Sequence, residues 1–204
     1  LATSHSGNTE ETFAATETAL KHGATVVVIA TGGALAGLCE LYENCHLIPS
    51  IAGQPPRTAF GHLFSRQLAL IEYLGFVPGQ QPHLREEMLN RLEKAIHAND
   101  FRTPQGTPLL DLAMSLRERP VSLLGPTELQ PVLVRFKNQL NENAGRFARI
   151  GVVPEMNHNE LVAWGGVSDD ADPERSNQAT LFVTWEGMHK RVLRRIDWMI
   201  EHTP

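Results

Sequence analysis

Apolar and polar positions along the chain follow two periods. The spacing predicts a helix from about Thr9 to His22, closed by Gly23, a residue suited to the position after a last helical turn. Ala24 to Ala30 is a continuous Val-rich run, as in a strand buried on both faces of a parallel sheet. It ends in a loop at Thr31-Gly32-Gly33, and a second short strand is expected near His46 to Pro49. An irregular loop follows over Ile51 to Arg57, with Gly53, Pro55 and Pro56. Leu63, Leu68, Ile71 and Leu74 then recur at near-helical spacing up to Gly75.

The Pro-, Gly- and Gln-rich stretch from Gly75 to Pro82 interrupts this pattern and reads as a boundary. Beyond it, Leu84, Met88, Leu92 and Ile96 form one stripe of a helix with a charged opposite face, expected to link and pack on two domains. From about Thr103 the alternation restarts: a helix over Leu109 to Leu116 and a strand over Val121 to Leu124. Next come a helix lined by Leu129, Leu133, Phe136 and Leu140, and a strand over Phe147 to Val153. A strand over Leu181 to Thr184 and a basic helix from about Glu186 to His202 complete the pattern. Strands alternating with helices predict an α/β protein with doubly wound, flavodoxin-like parallel sheets. The expected domains are residues 1–80, a linking helix at 81–104, and residues 105–204.

Composition narrows the partners. A formal net charge of -5 over 204 residues argues against nucleic acid or an anionic membrane surface, both of which call for a basic face. No run approaches the roughly 18 apolar residues of a membrane span. Cys39 and Cys45 match no zinc or redox spacing, and the nine histidines include no H-E-x-x-H pair. The expectation is a reduced, cytoplasmic protein with no metal and no organic cofactor. Trp164, Trp185 and Trp198 are read as packing residues. Asp169, Asp170, Asp172 and Glu174 are read as a solvated acidic loop, and the Arg191, Arg194 and Arg195 face of the last helix as surface.

Chemistry concentrates first in Ser4-His5-Ser6-Gly7-Asn8-Thr9-Glu10-Glu11-Thr12. Asn8 is the expected N-cap of the first helix, with Glu11 completing a capping box. Hydroxyls at Ser4, Ser6 and Thr9 precede the positive end of a helix dipole, which suits a phosphate dianion. Spacing alone leaves an ordinary capped helix start and a phosphate cradle both open.

Further segments decide between them. Ser-x-Ser-Gly-Asn-Thr-Glu-Glu-Thr, followed by a helix and a Val-rich strand ending Thr-x-Gly-Gly, resembles a sugar isomerase (SIS) domain. Gln54-Pro55-Pro56-Arg57-Thr58-Ala59-Phe60-Gly61 is similar to that family's Pro-Arg-x-Ala segment. Asn138-Gln139-Leu140-Asn141-Glu142-Asn143 and Pro154-Glu155-Met156-Asn157-His158-Asn159-Glu160 resemble segments of bifunctional phosphoglucose/phosphomannose isomerases. The resemblance covers essentially the whole chain and implies two SIS-type domains. It implies a hexose 6-phosphate substrate held by Ser4, Ser6 and Thr9, and aldose–ketose isomerisation through a cis-enediolate. Glu142 would be the general base, Arg57 the cation holding the enediolate, and His158 the ring-opening group, reaching the site of a neighbouring subunit in a homodimer.

Residue chemistry fits these roles. A Glu in the last turn of a helix, partly buried, would be held toward its neutral form. Histidine titrates near neutrality and guanidinium never deprotonates. Without the resemblance, Glu142, His158 and Arg57 read as surface residues. Relatives in this family begin with a strand and Gly-Ser-rich loop before the position of Leu1 and continue past Pro204 to a Lys-bearing helix. The expectation is therefore a fragment with both domains incomplete, weak or inactive on its own. A non-catalytic phosphosugar sensor needing only Ser4, Ser6 and Thr9 stays open, as does, further back, the isomerase half of an amidotransferase making glucosamine 6-phosphate.

Overall fold

The computed structural model describes residues 1–103, 107–165 and 171–202, and the chain divides into two units, Leu1–Leu89 and Asn90–Pro204. In the first unit, strand β1 (Ala2–Thr3) leads through a loop into helix α1 (Glu10–Lys21). Strand β2 (Val26–Ala30), helix α2 (Gly33–Leu41) and strand β3 (Cys45–Pro49) follow, then helix α3 (Phe60–Tyr73). The three strands are parallel in the order β1-β2-β3, with Ala2 opposite Val28 and Val26 opposite Cys45. β2 is central, and Val28, Ile29 and Ala30 are fully buried, as its unbroken apolar run requires. Leu20 of α1 and Leu35 and Leu38 of α2 pack against it.

Helix α4 (Pro82–Ala98) spans the boundary between the units. Its apolar stripe exists, but Leu84, Met88, Leu92 and Ile96 are exposed and not packed as expected.

The second unit repeats the α/β pattern with helix α5 (Pro108–Leu116), strand β4 (Val121–Pro126), helix α6 (Gln130–Ala144) and strand β5 (Ala148–Val153). A short helix α7 (Glu160–Ala163), strand β6 (Ala179–Phe182) and helix α8 (Lys190–His202) complete it. Thr107 caps α5, its hydroxyl accepting from the Leu110 N–H at 3.3 Å. The sheet is parallel in the order β5-β4-β6, so the winding reverses at β4. Every residue of β4 is buried. Leu133 of α6 closes one side of the sheet against Val121 and Leu123. Ile196 and Met199 of α8 close the other, against Leu124, Val153 and Met156.

The structure refines several of these expectations. The loop at Thr31-Gly32-Gly33 leads directly into α2, an element that spacing leaves unassigned because glycines and small side chains mask its start. β6 begins two residues earlier than expected and leaves out Thr184. Trp164 is buried and Trp198 stacks on His202 at 4.5 Å, but Trp185 is half exposed and donates its indole N–H to Glu128 Oε1 at 3.2 Å. Of the acidic loop, Asp169 and Asp170 lie outside the described residues, while Asp172 Oδ1 accepts from the Glu174 N–H at 2.8 Å.

The fold also joins what spacing kept apart. Cys39 on α2 and Cys45 at the start of β3 are free thiols with sulfurs 3.1 Å apart. Burial, then the hydrogen bond to Cys45, pushes the Cys39 thiol up to about 12. Iodoacetamide is expected to alkylate native Cys39 at near pH 8.5 far more slowly than an unfolded thiol, read by mass spectrometry over time. The folded thiol keeps its proton up to about pH 12, whereas a free one releases it near 9.0, so the stability tied to that proton is complete below pH 9.0 and lost as pH rises through 12. A Cys39→Ala variant should lack this part of the alkaline decline in melting temperature. Separately, Leu123→Ala should destabilise the second unit by about 3 kcal/mol in urea unfolding, because Leu123 is fully buried in the central strand.

Candidate functional site: a stitched phosphate loop and two outlying acid–base residues

Strand β1 ends at Thr3, and six residues later the chain enters α1. The turn between them is closed by its own hydroxyls. Ser4 is buried; its Oγ accepts from the Gly7 N–H at 3.1 Å and lies 2.8 Å from Thr9 Oγ1. Ser6 Oγ accepts from the Asn8 N–H at 3.2 Å. Ser4, Ser6 and Thr9, separated by turn-like spacing in sequence, therefore share one loop at the mouth of α1. The first N–H groups of α1 have no intrahelical partner, and no side chain caps them. Donors, hydroxyls and the positive end of the helix dipole meet at the carboxyl end of a parallel sheet, an arrangement suited to an anion. Glu10 and Glu11 share the first turn, but both are exposed and screened by solvent.

The expected capping box is absent. Thr9 stands at the N-cap of α1, and Asn8 serves another helix: its Oδ1 accepts from the Ala34 N–H of α2 at 2.9 Å. The loop is stitched to the start of α2 at further points. The Gly7 carbonyl accepts from the Leu35 N–H at 2.9 Å, and the His5 carbonyl from the Thr31 N–H at 2.9 Å and the Thr31 hydroxyl at 2.7 Å. Gly7 has φ +73, and a Cβ there would lie 1.9 Å from the Gly32 carbonyl oxygen. Gly33, at φ +71, would place a Cβ 2.4 Å from the Ser6 carbonyl oxygen. Only glycine fits either position.

Arg57 lies in the same unit, in a single 3-10 turn (Pro56–Thr58) ahead of α3. Pro55 enters it at φ -60 and ψ 144. The Thr58 N–H and hydroxyl both donate to the Pro55 carbonyl, at 3.0 and 2.8 Å. Arg57 itself is exposed.

Glu142 and His158 belong to the second unit. Glu142 is in the last turn of α6, before Gly145 at φ 60. Its side chain is exposed, so the expected partial burial is not found in this chain. Its neighbours are held locally: Asn141 Nδ2 donates to the Arg146 carbonyl at 2.8 Å, and Asn143 donates to Gln139. His158, expected in a loop, ends a 3-10 helix (Glu155–His158) just beyond β5 and is exposed. Asn159 caps α7, its Oδ1 accepting from the Glu160 N–H at 2.6 Å. α6 leads back to the start of β5, whereas His158 follows its end. Six strand residues, about 20 Å, therefore separate the regions holding the two side chains. One copy of the chain does not bring Glu142 and His158 together.

Among the described residues no group of three or more His, Cys, Asp or Glu side chains could hold a metal ion. No helix among them is long and apolar enough to cross a membrane. Sequence reasoning missed Asn8 as the cap of α2, and it missed His5, whose ring reaches Gln54. Both contacts join segments far apart in the chain, so no local signal could have revealed them.

A parallel α/β unit with a Ser/Thr-rich loop, followed by a second parallel α/β unit, is the architecture of SIS-fold proteins. Residues 107–203 match the family described as bacterial phospho-glucose isomerase C-terminal SIS domain. A bifunctional phosphoglucose/phosphomannose isomerase from Caldicellulosiruptor bescii is 32% identical over 166 residues, which cover 79% of this chain and 48% of that protein. Its counterpart in Thermoplasma acidophilum is 31% identical over 199 residues, covering 97% of this chain and 56% of that one. A crystal structure of a candidate phosphosugar isomerase from Clostridium difficile superposes with a TM-score of 0.65 at 14% identity, covering 99% of this chain and 56% of that chain, a likeness of fold. Residues 107–203 thus match a SIS domain, most of the chain is similar to these isomerases, and it spans about half the length of the curated relatives it matches.

Two substitutions test the stitched loop. Gly7→Ala should abolish the rise in melting temperature given by inorganic phosphate, since its methyl group would collide with Gly32. Asn8→Ala should lower stability by about 1 kcal/mol, the usual effect of removing an N-cap, read by thermal or urea unfolding.

Proposed function

We propose that the protein interconverts glucose 6-phosphate, and mannose 6-phosphate, with fructose 6-phosphate. The observation that carries this reading is the Ser4–Thr9 loop at the N-terminus of α1, supported by the likeness to bifunctional phosphoglucose/phosphomannose isomerases. Ser4, Ser6, Thr9 and the free N–H groups of α1 hold the phosphate and so fix the sugar chain. His158 exchanges a proton with the ring oxygen and opens the ring. The Glu142 carboxylate then takes the proton from C2, giving a cis-enediolate, and returns it to C1 as the hydroxyl proton moves from O2 to O1. Arg57 balances the enediolate charge throughout without titrating. The scheme uses no metal and no organic cofactor.

The roughly 20 Å that β5 places between the regions of Glu142 and His158 favours a homodimer in which His158 works in the partner's site. The setting for such metabolism is the cytoplasm. The division 1–80, 81–104 and 105–204 remains our domain assignment, with the phosphate held by the first domain and the base supplied by the second. A second reading, a non-catalytic phosphosugar-binding module, is favoured by one observation: Ser4, Ser6 and Thr9 share one loop within the first unit, whereas Glu142 belongs to the second.

Coupled assays distinguish the two. Glu142→Gln is expected to lower kcat by about 10³-fold, with little change in KM, since it removes only the proton acceptor. Unchanged turnover in that variant would take the base role from Glu142. Phosphosugar-dependent melting shifts without turnover in the full-length protein would establish the binding module.

A further inference from the structure

His5 sits between the two serines of the phosphate loop and contributes nothing to that loop through its side chain. Its main chain is pinned to the end of β2, because its carbonyl accepts from both the amide and the hydroxyl of Thr31. The ring leaves in another direction. Its Nε2 lies 3.0 Å from the carbonyl oxygen of Gln54, forty-nine residues along the chain. A carbonyl brings no proton, so Nε2 carries the proton of this bond. Nδ1 is itself buried with no hydrogen-bond partner. Burying an imidazole to make one bond is costly unless that bond fixes something.

What it fixes is the start of Gln54-Pro55-Pro56-Arg57. The two prolines hold φ near -65° and leave the chain few ways to turn after Gln54. The next residues are fastened in succession: the Thr58 N–H to the Pro55 carbonyl at 3.0 Å, and the Ala59 N–H to the Pro56 carbonyl at 3.1 Å. Ala59 is fully buried. Between a fixed Gln54 carbonyl and a buried Ala59, the main chain of Arg57 has one course.

We infer that His5 is a positioning residue, holding the Arg57 turn in register with the phosphate loop through the carbonyl of Gln54. The kinetic part of this inference rests on the isomerase reading, in which Arg57 meets the enediolate. The phosphate loop binds substrate and transition state alike, whereas Arg57 acts on charge that appears only in the transition state. Loss of the tie should therefore reduce kcat and spare substrate affinity.

Two variants of the protein separate this role from a merely structural one. His5→Phe keeps a planar ring of similar size without a donor, and His5→Gln keeps an amide donor at a reach close to that of Nε2. His5→Phe is expected to lower kcat on glucose 6-phosphate by about tenfold or more, with KM and the affinity for inorganic phosphate within about threefold. Amide exchange at Thr58 and Ala59 should quicken in His5→Phe. His5→Gln should restore both kcat and exchange to within about threefold of the unaltered protein. Equal losses in the two variants, or unchanged kcat and exchange in His5→Phe, would overturn the inference. So would phosphate affinity falling in step with kcat. If the full-length protein turns over no hexose phosphate, the isomerase reading fails, and exchange at Thr58 and Ala59 decides the positioning role alone. Should His5→Phe not fold, nitrogen-15 NMR of the imidazole in the unaltered protein decides it. A proton on Nε2 supports the tie, and a bare Nε2 excludes it.

Discussion

The close approach of Gly7 to Gly32 is the constraint on which the first unit depends. The loop after β1 and the loop after β2 touch main chain to main chain, nearer than any side chain would allow. That contact sets where α1 and α2 begin. The Gly7 carbonyl then reaches Leu35, the Asn8 side chain reaches Ala34, and the Ser4 hydroxyl turns inward to the Gly7 amide. Each bond needs the separation that the glycine pair makes possible. The loop at the mouth of α1 is thus a product of two adjacent crossovers, held by polar groups that satisfy each other.

The second unit is built on a different constraint, a strand with no exposed residue. β4 is covered on both faces and paired on both sides, by β5 and β6. Its sheet reverses direction there, which opens the crevice at the carboxyl ends of β4 and β6 that α/β proteins commonly use. Trp185 and Glu128 bridge the segments that follow these two strands. Gly125 admits the Val183 carbonyl where a Cβ would lie 2.7 Å from it.

Much of this was legible from residue order. Val26–Ala30 reads as a buried parallel strand because five apolar residues in a row suit no other short element, and it is one. α6 is visible in the spacing of Leu129, Leu133, Phe136 and Leu140, and its end in Gly145. What stayed hidden has a common cause. α2 takes its cap from Asn8, twenty-six residues earlier, so its own sequence carries no start signal. Asn8 looks like a cap for the helix beside it because the rule is local, and the fold spends its oxygen elsewhere. The His5–Gln54 tie likewise joins segments forty-nine residues apart, and the Cys39–Cys45 contact is made by the turn that carries α2 into β3. Residue types in Ser4, Ser6 and Thr9 mark a helix start and leave an ordinary cap and a phosphate cradle both open, and nothing in residue type distinguishes Glu142 or His158 from surface residues.

β5 acts as a ruler. It holds the last turn of α6 and the turn after Val153 a strand's length apart, on a rigid element that cannot shorten. In the proposed scheme, chemistry needing both ends must borrow one of them from a second molecule. Turnover per chain then becomes a function of protein concentration, falling on dilution below the dimer's dissociation constant even though every chain stays folded. Two inactive variants, one altered at each end of β5, would each bring what the other lacks and together recover sites that neither forms alone.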